Sequence, residues 1–264
     1  MRTIRTVDEV RAALARGGSI GLVPTMGALH DGHLSLFRAA RTENETVVAS
    51  LFVNPAQFDD EADLGVYPRD EERDRRLAAA AGVDLLFAPS LEEMYPAGFQ
   101  TWVEVGELSA GLEGDARPGH FRAVATVCLK LFNIVRPARA YFGQKDAQQA
   151  AVIRRLVRDL NVPLEIRVLP TVRDPDGLAL SSRNARLSPE EREQARSLPR
   201  ALAKGAETYR SGGDAVAAAV VELNGLTPDY VELLDLDGAL VLAAAVRVGS
   251  TRLIDNVVLQ GELR

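Results

Sequence analysis

Apolar and polar positions along this chain follow two rhythms. Thr6 and Glu9 make a capping pattern, and Val10, Ala13 and Leu14 follow at helical spacing, so the first predicted element is a helix stopped by Gly17 and Gly18. Residues 19–25 (SIGLVPT) and 46–53 (TVVASLFV) are short apolar runs bounded by turn residues, and each predicts a buried strand. Residues 83–88 predict a third strand. Helical patterns over 32–43 and 70–81 separate these strands, the second strongly charged on one side. A long helix is predicted over 119–135, with Val124, Val127, Leu131 and Ile134 among its apolar positions. A strand over 138–142 ends at Gly143, a helix covers 146–160, and 164–172 is extended. Strands alternating with helices imply an α/β fold, a Rossmann-like, doubly wound parallel sheet with helices on both faces.

The rhythm changes at Asp174-Pro175-Asp176-Gly177, a sequence suited to a type I turn. Ser188, Pro189 and Glu191 then form a strong helix start, with the serine as cap, the proline in the first helical position and the glutamate closing a capping box. One alanine-rich helix is predicted from there to Tyr209, ended by Ser211-Gly212-Gly213, and a second over 215–223. Strand-like runs follow at 229–234, 244–248 and 252–258. Helices followed by strands predict a second, smaller α+β domain. The expected division is therefore 1–173 and 174–264.

Length and composition narrow the class. The 264 residues are 47% hydrophobic and 26% charged, as in ordinary globular proteins, which excludes a disordered chain or a coiled-coil rod. The single cysteine, Cys128, excludes an internal disulfide and any multi-cysteine metal site. A net charge of −6 with no basic stripe argues against nucleic acid as a partner. No apolar run is long enough to span a bilayer and no secretory signal is visible, so a cytoplasmic location with no membrane partner is expected. Basic residues are 28 arginines and three lysines, Lys130, Lys145 and Lys204, so a lysine at a candidate site is more informative than usual.

Candidate chemistry gathers where predicted strands end. Residues 24–33 (PTMGALHDGH) follow a buried strand and open a helix, where free backbone N–H groups favour phosphate. Gly27 and Gly32 allow close approach to the backbone, and His30 and His33 fall on one side of a helical turn. Residues 140–149 (AYFGQKDAQQ) again leave a strand. There Lys145 suits a phosphate oxygen, and Asp146 suits either a ribose or a helix N-cap. Residues 180–184 (LSSRN) bring two hydroxyls and a guanidinium into one loop, a combination that can wrap a polyphosphate. Three further polar segments are 54–58 (NPAQF), 67–69 (YPR) and 117–121 (RPGHF), and His120 reads there as turn chemistry.

In their order along the chain these segments resemble the pantothenate synthetase family, ATP-dependent ligases that join pantoate to β-alanine. The H-x-G-H element and the serine-rich loop are also similar to the two signatures of the wider nucleotidyltransferase superfamily. The resemblance implies a Rossmann-like N-terminal domain, a C-terminal domain acting as a lid, and a homodimer. It places ATP against Met26, Gly27, His30, His33, Gly143, Gln144, Lys145, Asp146, Val172, Leu180, Ser181, Ser182 and Arg183. His30, His33, Lys145, Ser181, Ser182 and Arg183 would be the catalytic set. Gln57, Gln149 and Met26 would hold pantoate, with Gln57 also bordering β-alanine. Mg²⁺ would arrive with ATP. No protein ligand for it is assigned, because the carboxylates after Arg69 do not align with the family pattern, and no tightly bound metal is expected. Leu180, Gln144 and Ala123 depart from the family's usual methionine, glutamate and glycine.

Three competing readings remain at this point. One is another nucleotidyltransferase of the same fold. A second is a histidine-based metal hydrolase, disfavoured because the i, i+4 histidine spacing and the intervening glutamate are missing. The third is a nucleic-acid-binding module, disfavoured by charge.

Overall fold

The computed structural model describes residues 1–15, 17–58 and 61–263. By contact the chain divides into two compact units: Met1–Phe142 with Val152–Leu169, and Gly143–Ala151 with Pro170–Arg264.

The first unit is built on a six-stranded parallel sheet of strands β1 (Arg2–Ile4), β2 (Ile20–Thr25), β3 (Thr46–Leu51), β4 (Leu85–Phe87), β5 (Arg139–Gly143) and β6 (Glu165–Leu169). Their order is β1-β4-β3-β2-β5-β6, with Leu22 of β2 beside Val48 of β3 and Ala140 of β5. The order reverses between β2 and β5. In open α/β sheets that is where ligands bind, beyond the carboxyl ends of the strands.

The sheet is covered on both faces, and the two-residue period of a strand shows how. Leu22, Val48, Phe87 and Ala140 join one buried cluster with Val10, Leu131 and Ile153 from the helices Val7–Leu14, His120–Val135 and Ala147–Asp159. The alternate positions Val23, Val47, Ala49, Leu86 and Tyr141 join another, with Phe37 and Ala78 from the helices Asp31–Glu43 and Glu71–Ala80. Each fully buried large side chain contributes about 1.5–3 kcal/mol by leaving water. Tyr141 is buried, and its hydroxyl donates to Glu43 Oε2 at 2.8 Å and accepts from Asn44 Nδ2 at 2.7 Å.

Cys128 lies inside the first cluster, and burial pushes its thiol up to about 12. We expect a thiol reagent at pH 8 to leave it unmodified in the native protein and to react stoichiometrically after unfolding in guanidinium. Rapid native labelling would contradict its placement.

The second unit carries an antiparallel sheet of β7 (Pro228–Asp235), β8 (Leu240–Val248) and β9 (Thr251–Gln260), in that order. Leu242, Ala244 and Val246 of β8 pack with Leu198, Ala201 and Leu202 of the helix Ser197–Arg210 and with Ala219 of the helix Ala215–Glu222. The approach is close at Gly205, where a Cβ would lie 2.5 Å from Leu242 Cδ2 and 2.8 Å from the Ala215 carbonyl oxygen.

Most predicted elements recur within a few residues, and both capping boxes, Thr6–Glu9 and Ser188–Glu191, are formed. The single long helix predicted to Tyr209 is instead two, Pro189–Ala195 and Ser197–Arg210. Pro199 explains the break: it has no N–H for the Ala195 carbonyl, and its ring crowds that carbonyl. Strand β1 and the short helices Glu61–Val66, Leu91–Met94 and Leu112–Ala116 were not anticipated. They are too short for a period to register. Among the described residues no helix is long and apolar enough to cross a membrane.

Candidate active site

The first unit presents the histidine segment on a left-handed turn. Thr25 ends β2, and its hydroxyl donates to the Ser50 carbonyl at 2.7 Å. Gly27 and Ala28 follow with φ of +87° and +51°. Only glycine fits the first position: a Cβ there would lie 2.9 Å from both Asp74 Oδ2 and Leu51 Cδ1. Asp74 is buried. Its two oxygens accept from the Ala28 N–H at 2.8 Å and the Leu29 N–H at 2.9 Å. Neighbouring Arg73 donates to the Leu29 carbonyl at 3.0 Å. One turn of the helix Glu71–Ala80 thus grips the backbone just before the histidines.

His30 is the N-cap of the helix Asp31–Glu43 rather than part of it, and His33 is its third residue. The Nδ1 of His30 accepts from the Gly32 N–H at 3.2 Å, and the Nδ1 of His33 accepts from the His30 N–H at 3.4 Å. The pair is a capping box made of two imidazoles, with ring centroids 4.2 Å apart. An accepting Nδ1 places the proton of a neutral ring on Nε2. Both rings therefore offer Nε2–H as a donor. A cavity of about 260 Å³ opens in the same unit, lined among others by Met26, Gly27, Phe52, Arg69 and Asp74.

Gln57 closes the 3-10 turn Pro55–Gln57 beyond β3 and is buried. Its Oε1 accepts from Asn54 Nδ2 at 2.9 Å, which leaves the amide NH₂ as the donor end of the side chain. Its carbonyl accepts from Arg117 Nη2 at 2.8 Å and from His120 Nδ1 at 3.2 Å. His120 is therefore more than turn chemistry: it is buried at the start of its helix and fixes the backbone of Gln57.

The second unit presents the remaining candidates. Gln144, Lys145 and Asp146 form a 3-10 turn that runs into the helix Ala147–Asp159, and Lys145 Nζ lies 3.9 Å from Asp146 Oδ1. Gln149 is half-buried on the first turn of that helix. Val172 and Leu180 face each other across a hairpin, with the Leu180 N–H donating to the Val172 carbonyl at 2.9 Å. The expected turn closes the hairpin, its Gly177 N–H donating to the Asp174 carbonyl at 2.9 Å. Arg192 binds both of its aspartates, Asp174 Oδ2 at 2.6 Å and Asp176 Oδ2 at 2.7 Å. Burial opposes the charge on Asp176, yet Arg192 and the Leu178 N–H hold its carboxyl below the usual range. Ser181 caps the 3-10 turn Ser182–Arg186, its Oγ accepting from the Arg183 N–H at 3.2 Å, which leaves the hydroxyl proton to donate.

Comparison with known proteins decides the family. The sequence pattern described as Pantoate-beta-alanine ligase matches residues 1–258. The chain belongs to the pantoate-beta-alanine ligase family. A pantothenate synthetase of Roseiflexus castenholzii is 55% identical over 277 residues, covering 98% of this chain and 100% of that protein. One from Moorella thermoacetica is 56% identical over 280 residues, covering 98% and 99%. Among solved structures, pantothenate synthetase from Thermus thermophilus superposes with a TM-score of 0.94 at 51% identity, covering 99% of this chain and all 100% of that one. The pantoate-beta-alanine ligase of Francisella tularensis, crystallised with beta-gamma ATP and beta-alanine, superposes with a TM-score of 0.86 at 35% identity over 100% of both chains.

In this member of the pantoate-beta-alanine ligase family, the predicted residues divide between the units. Met26, Gly27, His30, His33 and Gln57 belong to the first; Gly143, Gln144, Lys145, Asp146, Gln149, Val172, Leu180, Ser181, Ser182 and Arg183 belong to the second. Sequence reasoning singled out the segments that contain Asn54 and Arg117 but gave neither residue a role, and it missed Asp74, whose signal is that it shares a helix face with Leu77 and Ala78 three and four residues on.

Proposed function

We propose that this chain joins pantoate to β-alanine in two steps, through a pantoyl-adenylate. The reading rests above all on the paired imidazoles of His30 and His33, whose proton positions are set by the backbone in a chain that matches the ligase family over residues 1–258. The complex of the Francisella relative with beta-gamma ATP and beta-alanine supports two of the three substrates.

In the first step a carboxylate oxygen of pantoate attacks the α-phosphorus of ATP, and the bond to pyrophosphate breaks. A carboxylic acid with a pKa of about 4 is already ionised, so no base is required. The protein has to supply alignment and donors for the negative charge on phosphorus. His30 and His33 give Nε2–H, Ser181 and Ser182 give hydroxyls, and Lys145 and Arg183 give cations. ATP lies along these residues with Met26, Gly27, Gly143, Gln144, Asp146, Val172 and Leu180. The donor set is cationic or neutral, which suits Mg²⁺ carried on the phosphates rather than caged by carboxylates. When bound, Mg²⁺ neutralises phosphate charge. Gln57 turns its amide NH₂ toward pantoate because Asn54 holds its other end. Gln149 and Met26 complete the pantoate site, and Gln57 also borders β-alanine.

In the second step the β-alanine nitrogen attacks the acyl carbon and AMP leaves. The ammonium, with a pKa of about 10, must first give up a proton. The mixed anhydride also hydrolyses, so the C-terminal domain, residues 174–264, acts as a lid, with segment 174–183 as its moving part. Limited proteolysis checks this: ATP plus pantoate should protect that segment, and equal cleavage with and without them would count against a lid. The protein is proposed to work as a cytoplasmic homodimer.

The deciding experiment is ATP–pyrophosphate exchange with Mg²⁺ and pantoate, without β-alanine. Exchange that depends on pantoate is the expected result. Its absence, or exchange with pantoate omitted, would reject the adenylate route.

A further inference from the structure

Two segments of the second unit carry Lys145 and Ser181–Arg183, proposed above as donors to the nucleotide, yet the chain between them runs through Val152–Leu169 of the first unit. Adjacent residues of β9 join them. Asp255 is buried and takes Arg173 in a two-point ion pair, with Nη1 to Oδ2 at 2.6 Å and Nη2 to Oδ1 at 3.1 Å. Arg173 also donates to the Gly177 carbonyl at 3.2 Å, and it bridges to Ala179 across the hairpin. Asn184 ties the next turn back to the Ala179 carbonyl at 3.0 Å. The position of Asp255 therefore sets that of Leu180 and the Ser181–Arg183 donors beyond it.

Asn256 does the same for the lysine. It is buried, and its Nδ2 donates to the carbonyls of Gln144 and Lys145, both at 2.9 Å. Its Oδ1 accepts from Gln144 Nε2 at 3.4 Å. Its own N–H donates to Asp255 Oδ1 at 2.8 Å, so the two anchors are bonded to each other. A side-chain amide that donates to two successive carbonyls ties both to one point and so restricts the turn to one conformation. The sequence singled out neither residue.

We propose that Asp255 and Asn256 are positioning residues for the nucleotide phosphates. They lock Lys145 and the Ser181–Arg183 loop into one preformed clamp, and neither touches ATP. This rests on the reading that Lys145 and the serine loop bind ATP.

The test is a double-mutant cycle on pantoate-dependent ATP–pyrophosphate exchange, comparing Asn256→Ala, Lys145→Ala and the combination with the unmodified protein. If Asn256 acts through Lys145, Asn256→Ala lowers kcat/KM for ATP about tenfold or more, since an ångström of misplacement can cost about 10²-fold. The KM for pantoate stays within about twofold of the parent value. The double variant is then no slower than Lys145→Ala alone, because one mutation has already removed what the other would disturb. A purely structural role would give effects that multiply and would spread to the pantoate KM. Multiplying effects, or an unchanged kcat/KM for ATP in folded Asn256→Ala, overturn the proposal while the parent enzyme's exchange keeps the ligase reading intact. Absence of exchange in the parent overturns both. If Asn256→Ala does not fold, Asp255→Asn serves the same cycle against Arg183→Ala. It keeps an acceptor for Arg173 but loses the charge, and non-multiplying effects are again the expected result.

Discussion

His33→Ala lowers pantoate-dependent ATP–pyrophosphate exchange by about 10² or more, the scale of losing one donor to transition-state charge. The His33 Nδ1 accepts from the His30 N–H, so the proton sits on Nε2 and the ring presents a donor without any proton having to move. Alanine removes that donor. It also removes half of the capping box at the start of the helix Asp31–Glu43. A lost cap costs about 1 kcal/mol, small beside the effect on rate. Thermal unfolding should therefore shift by a few degrees while exchange collapses. Near-normal exchange by a folded His33→Ala variant would remove the residue from the catalytic set.

Asp74→Ala should damage stability and activity together. Its carboxylate satisfies two backbone N–H groups in a turn whose residues Gly27 and Ala28 both have positive φ. Each abandoned buried donor costs about 1–3 kcal/mol. Asp74 also lines a cavity that can admit water to them, so a total of about 2–3 kcal/mol is expected by urea unfolding. Asn is a poor substitute, since one end of its amide is a donor and would face another donor. The exchange rate should fall as well, because the turn that aims His30 and His33 is no longer held. Stabilities of both variants within about 0.5 kcal/mol of the parent, the range of an ordinary surface change, would mean that the turn holds itself.

Local chemistry was legible in the sequence and distant pairing was not. Thr6 with Glu9 and Ser188 with Glu191 marked helix starts because a capping box involves residues three apart. The strands β2 and β3 were plain as apolar runs, and the histidine segment stood out by following one of them. Pro199 could have warned of the break after Ala195, but the alanine-rich pattern hid it. His120 reaches the Gln57 carbonyl, Asn256 the Lys145 carbonyl and Asp74 the Leu29 N–H across separations of 63, 111 and 45 residues. In each pair one partner is a main-chain group, which carries no residue identity for a motif to record. The residues expected to touch substrate could thus be named from sequence, while those holding them in place emerged from the fold.

The grouping of Gly143–Ala151 with the C-terminal unit bears on how such enzymes can be recombined. A chimera joined at residue 174, taking everything beyond it from a relative, would pair one parent's lysine turn with the other parent's β9. Segments 143–151 and 170–264 have to be inherited together. A breeding experiment that shuffles these genes should recover active offspring in which both pieces share a parent, or in which the asparagine of β9 is common to both.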